Sequence, residues 1–145
     1  MFGGMNPAEQ GDIGEKAAAA WLWSRGHTVA FPFGRSPDWD LMVEIDHVPL
    51  RVQVKTTSQF VKGRWSVSVC TRGGNRSWNG VVKRMSPDRC DRLFVLVGDG
   101  RQWFIPAAAV AGGVGLLLGG PKYARFEVER GEGFLDLPLL AAATG

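Results

Sequence analysis

Two alternating runs of apolar and polar residues, joined by a tight turn, limit most what this chain can fold into. Residues 40–57 read DLMVEIDHVPLRVQVKTT, with turn-forming residues at Asp46-His47-Val48-Pro49. In a strand, successive side chains point to opposite faces, so this alternation gives each strand one apolar face. The pattern predicts an antiparallel β-hairpin around the four-residue connection.

The apolar residues of the two runs define how the strands pair. If the hairpin is centred between His47 and Val48, one face collects Leu41, Val43, Ile45, Leu50, Val52 and Val54. A slip of one residue would turn each of these side chains to the other face, so the register is well specified. The same register predicts three pairs on the polar face: Asp40 with Lys55, Met42 with Gln53, and Glu44 with Arg51.

The polar face brings metal-binding chemistry to the open end of the hairpin. Asp40 and Gln53 offer a carboxylate and an amide oxygen, hard ligands that suit Mg²⁺. The ammonium of Lys55 can position a water or neutralise charge on a phosphate. Glu15 in the preceding helix is a candidate for a further carboxylate ligand or a hydrogen-bond acceptor beside the metal. The same spacing equally fits an Asp40–Lys55 ion pair on a solvated face, worth about 0.2–1 kcal/mol.

The N-terminal part of the chain predicts a helix. Asn6 can cap it, Pro7 suits the first helical position, and Gly26 can end it. Gly11 and Gly14 weaken the helical pattern, which leaves open a start at Pro7 or near Gly11.

The remaining segments complete a mixed α/β domain. A third strand is predicted at GRWSVSVCT, a second hairpin at DRLFVLVGDGRQWFIPAA and a late edge strand at YARFEVE. The basic segment 72–90 predicts a loop with a short helix, and the glycine-rich segment 107–122 a short helix with a loop. We therefore predict one domain, with a mixed β-sheet of four to five strands, the N-terminal helix and a further helix packed on it.

Positive charge is concentrated in one part of the chain. The net charge is +3, but residues 60–92 hold eight Lys or Arg against two Asp and carry +6, so the remainder carries −3. This asymmetry indicates a polyanionic partner, because Lys and Arg supply most non-specific affinity for nucleic acid. A basic solvated loop would have the same composition. The candidates for DNA contact are Arg72, Arg76, Trp78, Lys83 and Arg84, with Trp78 able to stack on bases.

Composition argues against several other classes of protein. The apolar run from Phe104 to Leu118 contains Pro106 and several glycines and is a poor membrane span, and no signal-peptide pattern is visible. Two cysteines and two histidines are too few for a disulfide framework or a zinc cluster. The segment GGVGLLLGG lacks the Lys-Ser/Thr ending of a phosphate-binding loop, so no nucleotide cofactor is expected. We expect a cytoplasmic protein with reduced thiols.

Three motifs in this order resemble the PD-(D/E)xK nuclease superfamily. They are GDIGEKAAAAWL with its helix glutamate, SPDWDLMV with an aspartate that begins a strand, and RVQVKTT with Gln-x-Lys. The Gln in place of the usual acidic residue looks most like group I intron homing endonucleases and, more distantly, archaeal Holliday-junction resolvases. The motifs lie within residues 11–57, and weaker similarity continues through DRLFVLVGDGRQWFIP. Each motif alone is weak, but their order and spacing together are fairly specific.

The resemblance implies a role for each motif residue. Asp40 would bind or bridge Mg²⁺ or Mn²⁺, to which Gln53 would contribute its side-chain oxygen and Val54 its backbone carbonyl. Lys55 would orient or polarise the attacking water. Glu15 would complete the site from the helix.

Two aspartates compete for the metal-binding position. Asp38 follows Pro37, as in the family motif, but Asp40 begins the apolar-patterned strand and pairs with Lys55 in the predicted register. We therefore prefer Asp40 and leave Asp38 as a supporting or DNA-contacting residue. A second motif-like stretch, SPDRCDRLFVLV, is followed by no Gln or acidic residue two places before a Lys, and we reject it.

The resemblance also implies a restriction-endonuclease-like single domain over residues 1–145, with a core at about 8–110 and a C-terminal extension at 111–145. Its expected activity is metal-dependent hydrolysis of duplex or branched DNA by a homodimer or tetramer, since cutting both strands needs two active sites. Gln53 is neutral where a carboxylate is common, so the site loses one negative charge. This leaves open a catalytically weak or inactive DNA-binding module of the same fold, or a Holliday-junction resolvase.

Overall fold

The fold combines one long helix with eleven short strands among the residues that the structure describes. The computed structural model covers residues 2–34, 38–69, 71–72 and 82–129, with the backbone alone at 71–72 and 82–83. Helix α1 spans Pro7–Ser24. The strands are β1 (Thr28–Ala30), β2 (Leu41–Ile45), β3 (Val48–Thr57), β4 (Phe60–Val61), β5 (Arg64–Ser68), β6 (Thr71–Arg72), β7 (Val82–Lys83), β8 (Arg92–Val97), β9 (Gln102–Pro106), β10 (Gly115–Leu118) and β11 (Glu127–Val128).

The predicted capping residues set both ends of α1. The Asn6 side chain accepts a hydrogen bond from the backbone N–H of Glu9 at 2.9 Å. Gly26 follows the helix with a φ of 88°, a conformation that glycine adopts without strain. The helix begins at Pro7 and runs through both internal glycines. Over the described residues, no helix combines the length and the apolar character of a membrane span.

Six strands form the mixed sheet on which α1 packs. Their order is β1-β2-β3-β8-β9-β11, and all neighbours are antiparallel except β3 and β8, which are parallel. A second sheet has the order β10-β5-β4, and β6 pairs with β7. The predicted single α/β domain with a mixed sheet is confirmed, with six strands in place of four to five. The second helix has no counterpart in the described part of the chain, where two 3₁₀ helices occur at Ala107–Val110 and Ala124–Phe126.

The β2–β3 hairpin forms, but its register differs from the predicted one by two residues. Asp46 and His47 alone make the turn, with φ values of 52° and 66°, and Ile45 pairs with Val48. Positive φ at both central residues defines a two-residue turn whose twist suits a hairpin. All three predicted polar pairs are therefore wrong: Met42 lies opposite Arg51, Glu44 lies opposite Pro49, and the register continued by one residue places Asp40 opposite Gln53.

A shift of two residues leaves each side chain on its predicted face, and the main sheet buries an apolar cluster on each side. Helix α1 covers one cluster, whose fully buried members include Leu22, Leu41, Val52 and Phe94. The second sheet covers the other, whose buried members include Val67, Leu93, Trp103 and Leu118. Gln53 and Lys55 belong to the side of the second sheet, where Thr57 on the same face donates to the Ser66 carbonyl at 2.7 Å.

The later strands agree in part with the sequence. The second predicted hairpin is confirmed as β8 and β9, and the third predicted strand as β5. The late edge strand predicted at YARFEVE is confirmed only in part, because Glu127–Val128 form β11 beside β9 while Ala124–Phe126 form a 3₁₀ helix. The glycine-rich segment forms β10, which was not predicted. Leu116 and Leu118 are buried there while Leu117 is exposed, a strand alternation hidden by the surrounding glycines. Both β10 and β11 lie in the predicted C-terminal extension and pair with β5 and β9.

Candidate active site

Asp40 is anchored to β3 at the open end of the hairpin. Its backbone N–H donates to the Val52 carbonyl at 2.8 Å, and its carboxylate accepts from the Val54 N–H at 2.7 Å. Burial raises the pKa of Asp40, while the Val54 hydrogen bond and the charge of Lys55 oppose that rise. The carboxylate is therefore held on the backbone of the strand that carries Gln-x-Lys.

Gln53, Val54 and Lys55 follow one another on β3, the strand that holds this carboxylate. The N–H and C=O of one strand residue point to the same side, so Val54 directs its carbonyl to the side of Asp40. The pairing of β2 with β3 ends at Leu41 and residue 52, so the Val54 carbonyl lies beyond the paired part of β3. Gln53 is only 7% exposed, and its side-chain amide makes no hydrogen bond with the described residues. Lys55 is partly buried, close enough for its charge to act on Asp40.

Glu15 approaches from α1 because the residue before it has no side chain. A Cβ on Gly14 would lie 2.5 Å from the Thr56 methyl group, so glycine allows the helix to rest directly on β3. Burial raises the pKa of Glu15, and the negative charges of Asp40 and Asp12 raise it further. The helix glutamate and the strand aspartate are therefore close enough to repel each other.

A pocket of about 500 Å³ lies beside these carboxylates. Its walls are formed by Asp12, Glu15, Phe31, Pro32, Gly34, Trp39 and Asp40. Asp12 was not predicted, although its spacing of three residues from Glu15 places both on one helical face. No local sequence pattern predicts the apolar part of this pocket wall, because it forms only when the chain after β1 packs against α1.

The donor set fits a hard divalent cation. Asp40 and Glu15 supply carboxylates, and Gln53 and Val54 supply neutral oxygens, all of which suit Mg²⁺. Both carboxylates have raised pKa values, so a cation between them would relieve their repulsion. Within the described ranges, no group of three or more His, Cys, Asp or Glu side chains is placed to hold a metal ion. Binding would thus depend on the amide and carbonyl oxygens as well as on the two acids.

Asp38 and Asp91, the two aspartates that were not chosen as metal ligands, are engaged in other contacts. Asp38 forms an ion pair with Arg89, with 3.6 Å between Oδ1 and Nη1. Asp91, in the rejected second motif, accepts from the backbone N–H of Arg51 at 2.8 Å and from its Nε at 3.2 Å. Burial raises the pKa of Asp91, but the hydrogen bonds from Arg51 outweigh it and hold this pKa below its usual value. Of these three aspartates, Asp40 is the one whose carboxylate accepts from the strand residue between Gln53 and Lys55.

The predicted DNA contacts lie mostly outside the described side chains. Arg76 and Trp78 fall outside the described residues, and only the backbone of Arg72 and Lys83 is described, in β6 and β7. Arg84 is exposed, and its guanidinium donates to a backbone carbonyl at 3.0 Å. Contact of these five residues with DNA stays a prediction.

Comparison with known proteins identifies the family. A sequence profile of the PD-(D/E)XK endonuclease family matches residues 5–115, which include α1, the β2–β3 hairpin and the β8–β9 hairpin. The chain therefore belongs to the PD-(D/E)XK endonucleases, as its three motifs predicted.

A solved structure shows the same fold. The bacterial homing endonuclease I-Ssp6803I is similar with a TM-score of 0.69, over 92% of this chain and 94% of that one, at 21% sequence identity. At this identity the similarity establishes the fold alone, and it confirms the predicted nuclease-like core. No curated protein matches the chain in sequence.

Proposed function

We propose that this protein is a metal-dependent endodeoxyribonuclease that hydrolyses phosphodiester bonds in DNA. The observation that carries the proposal is the carboxylate of Asp40, fixed at 2.7 Å from the backbone N–H between Gln53 and Lys55. Glu15 lines the same pocket as Asp40. In a PD-(D/E)XK endonuclease, two acids beside a strand that carries Gln-x-Lys suit metal-assisted ester hydrolysis.

Each residue of the site has a distinct task in this reaction. Asp40, Glu15, the side-chain oxygen of Gln53 and the backbone carbonyl of Val54 would hold Mg²⁺ or Mn²⁺. When bound, such an ion polarises phosphate oxygens and makes water a stronger nucleophile. The Lys55 ammonium orients the attacking water and stabilises the negative charge that develops on the phosphate. The Val54 N–H keeps the Asp40 carboxylate in position throughout.

Removal of Lys55 tests the proposed function. Lys55→Ala is expected to slow metal-dependent nicking of supercoiled plasmid by about 10²–10³-fold, the usual loss when one preorganised electrostatic group is removed. The assay compares Mg²⁺, Mn²⁺ and EDTA. Lys122→Ala is the control, because Lys122 is exposed and packs on the ring of Tyr123. Cutting in EDTA, or cutting at the wild-type rate by Lys55→Ala, would contradict the proposal.

Gln53 sets how strongly the site binds metal. Gln53→Glu adds a carboxylate at a buried position beside Asp40, so we expect lower stability without divalent ions and a larger rise in Tm when Mg²⁺ is added. Thermal unfolding with and without Mg²⁺ measures both effects. Gln59→Glu is the control, since Gln59 is exposed. An equal Mg²⁺-induced rise in Tm for the two variants would exclude Gln53 from the metal site.

The neutral Gln53 also favours a second candidate, a DNA-binding module with weak or no catalysis. Such a module would bind duplex DNA without metal-dependent cutting. A junction resolvase would instead cut four-way junctions faster than linear duplexes in the same assay. For an enzyme that cuts both strands we expect a homodimer or tetramer, which sedimentation of the full chain measures.

A further inference from the structure

Two aromatic side chains are exposed beside the candidate active site. Phe33 is fully exposed, more than any other large apolar side chain in the described residues, and Phe31 is 55% exposed. Both belong to the segment FPFG, residues 31–34, which follows β1. Single exposed apolar residues are common on protein surfaces, but two within four residues beside a functional pocket indicate a contact surface.

This FPFG segment forms part of the pocket wall. Phe31, Pro32 and Gly34 line the same pocket as Glu15 and Asp40. A molecule that brings a phosphate to these carboxylates therefore passes along the segment.

The chemistry of the segment favours nucleobases over phosphates. Residues 28–34 contain no charged side chain, so the adjacent cation that could neutralise a phosphate is Arg35, which lies outside the described residues. Phenylalanine rings stack on the faces of bases, a contact that every base can make.

We propose that Phe31 and Phe33 form a stacking platform for the bases that flank the scissile phosphate. This rests on the proposed function, since it takes the pocket as the place where DNA is cut. A second copy of this chain is the other candidate partner for an exposed aromatic surface. A protein seated there would cover the pocket wall and block DNA from Asp40, so the geometry favours bases.

Stacking predicts a definite pattern of binding among variants of Phe33. With Ca²⁺ in place of Mg²⁺, Phe33→Ala is expected to weaken binding to random-sequence DNA with a single-stranded gap, whose unpaired bases are free to stack, by about 5- to 150-fold. Phe33→Trp keeps an aromatic face and should bind as the wild type does. Phe33→Leu keeps apolar bulk without that face and should bind as Phe33→Ala does. The slope of affinity against salt concentration should be unchanged, because no phosphate contact is removed.

Trp23→Ala is the matched control for position. Trp23 is 76% exposed, but it lies near the end of α1, outside the basic residues 60–92 and outside the pocket lining. Trp23→Ala should bind DNA with nearly wild-type affinity. Photocrosslinking then locates the contact: with 5-iodouracil in place of thymine, mass spectrometry of the full chain should find the crosslink at Phe31 or Phe33.

Three results would overturn the stacking proposal. They are bound DNA that crosslinks only outside residues 31–34, wild-type affinity of Phe33→Leu, and a dimer without DNA that Phe33→Ala dissociates in sedimentation equilibrium. The last result would assign the surface to a second copy of the chain. Failure of the stacking proposal is distinct from failure of the nuclease proposal, because nicking that depends on Lys55 would persist. Crosslinking at Phe33 without any cutting would support stacking and reject catalysis.

Discussion

Asp40→Asn is expected to lower DNA cutting by about 10²–10³-fold while the fold stays intact. The asparagine oxygen can still accept the hydrogen bond from the Val54 N–H, so the contact with β3 survives. The substitution removes the negative charge that would hold a divalent cation, and a bound cation supplies several kcal/mol of transition-state stabilisation. Single-turnover plasmid cutting measures the rate, and thermal unfolding confirms that the variant is folded.

Asp38→Asn is the natural control, because two aspartates compete for the metal-binding role. Its carboxylate pairs with Arg89 at 3.6 Å, so the substitution weakens a partly exposed ion pair. Such pairs contribute little, about 0–1 kcal/mol, and most cutting should remain. Loss of cutting in Asp38→Asn together with wild-type cutting in Asp40→Asn would reverse the assignment.

Gly14→Ala is expected to destabilise the protein and to impair cutting by the fraction that remains folded. The new Cβ would lie 2.5 Å from the Thr56 methyl group and 3.1 Å from a methyl group of Val54, so α1 must move away from β3. Overpacking of this kind costs about 1–3 kcal/mol. Since α1 carries Glu15, the movement also takes this carboxylate away from Asp40.

Gly11→Ala separates this overpacking from helix propensity. Gly11 lies in the same helix with no atom within 4 Å of an added Cβ, so alanine there should stabilise by about 0.5–1 kcal/mol. Chemical denaturation should therefore find Gly14→Ala about 1–3 kcal/mol less stable than Gly11→Ala. Adding Thr56→Ser, which removes the obstructing methyl group, should recover part of the difference. Equal stability of the two alanine variants would show that the helix does not rest on β3 through Gly14.

The sequence alone predicts the elements that depend on local pattern. Asn6 and Gly26 bound α1, and period-two alternation identifies both hairpins of the main sheet. These signals act over a few residues, so no knowledge of tertiary structure is needed to find them. The same alternation places Gln53 and Lys55 on one face, which survives a register error of two residues.

The predicted hairpin register is wrong because the sequence does not reveal which residues take positive φ. Asp46 and His47 form the two-residue turn without the usual glycine, and Pro49 looks like part of a longer connection. In the structure Pro49 lies within β3, where β8 has not yet begun to pair. Its missing N–H therefore costs no hydrogen bond with that neighbour.

The sequence predicts the site residues that lie in motifs, but it misses those that only tertiary packing brings to the site. Asp40 and Glu15 lie 25 positions apart in the sequence, yet both line the same pocket, and the negative charge of Asp40 raises the pKa of Glu15. Asp12 lies one helical turn before Glu15, but Phe31 and Trp39 join them only because the chain after β1 folds back to line the pocket. No local periodicity in the sequence predicts that the chain folds back there, so the exposed aromatic surface is found only in the structure.

We propose that Asp40, Glu15, Gln53 and the carbonyl of Val54 form one metal site. Anomalous diffraction from a crystal of the active protein soaked in Mn²⁺ tests this most directly. We predict an anomalous peak within bonding distance of the Asp40 and Glu15 carboxylates, the Gln53 side-chain oxygen and the Val54 carbonyl. A crystal of active protein in which Mn²⁺ binds only elsewhere, with Gln53 and Asp40 unbound, would contradict this metal site.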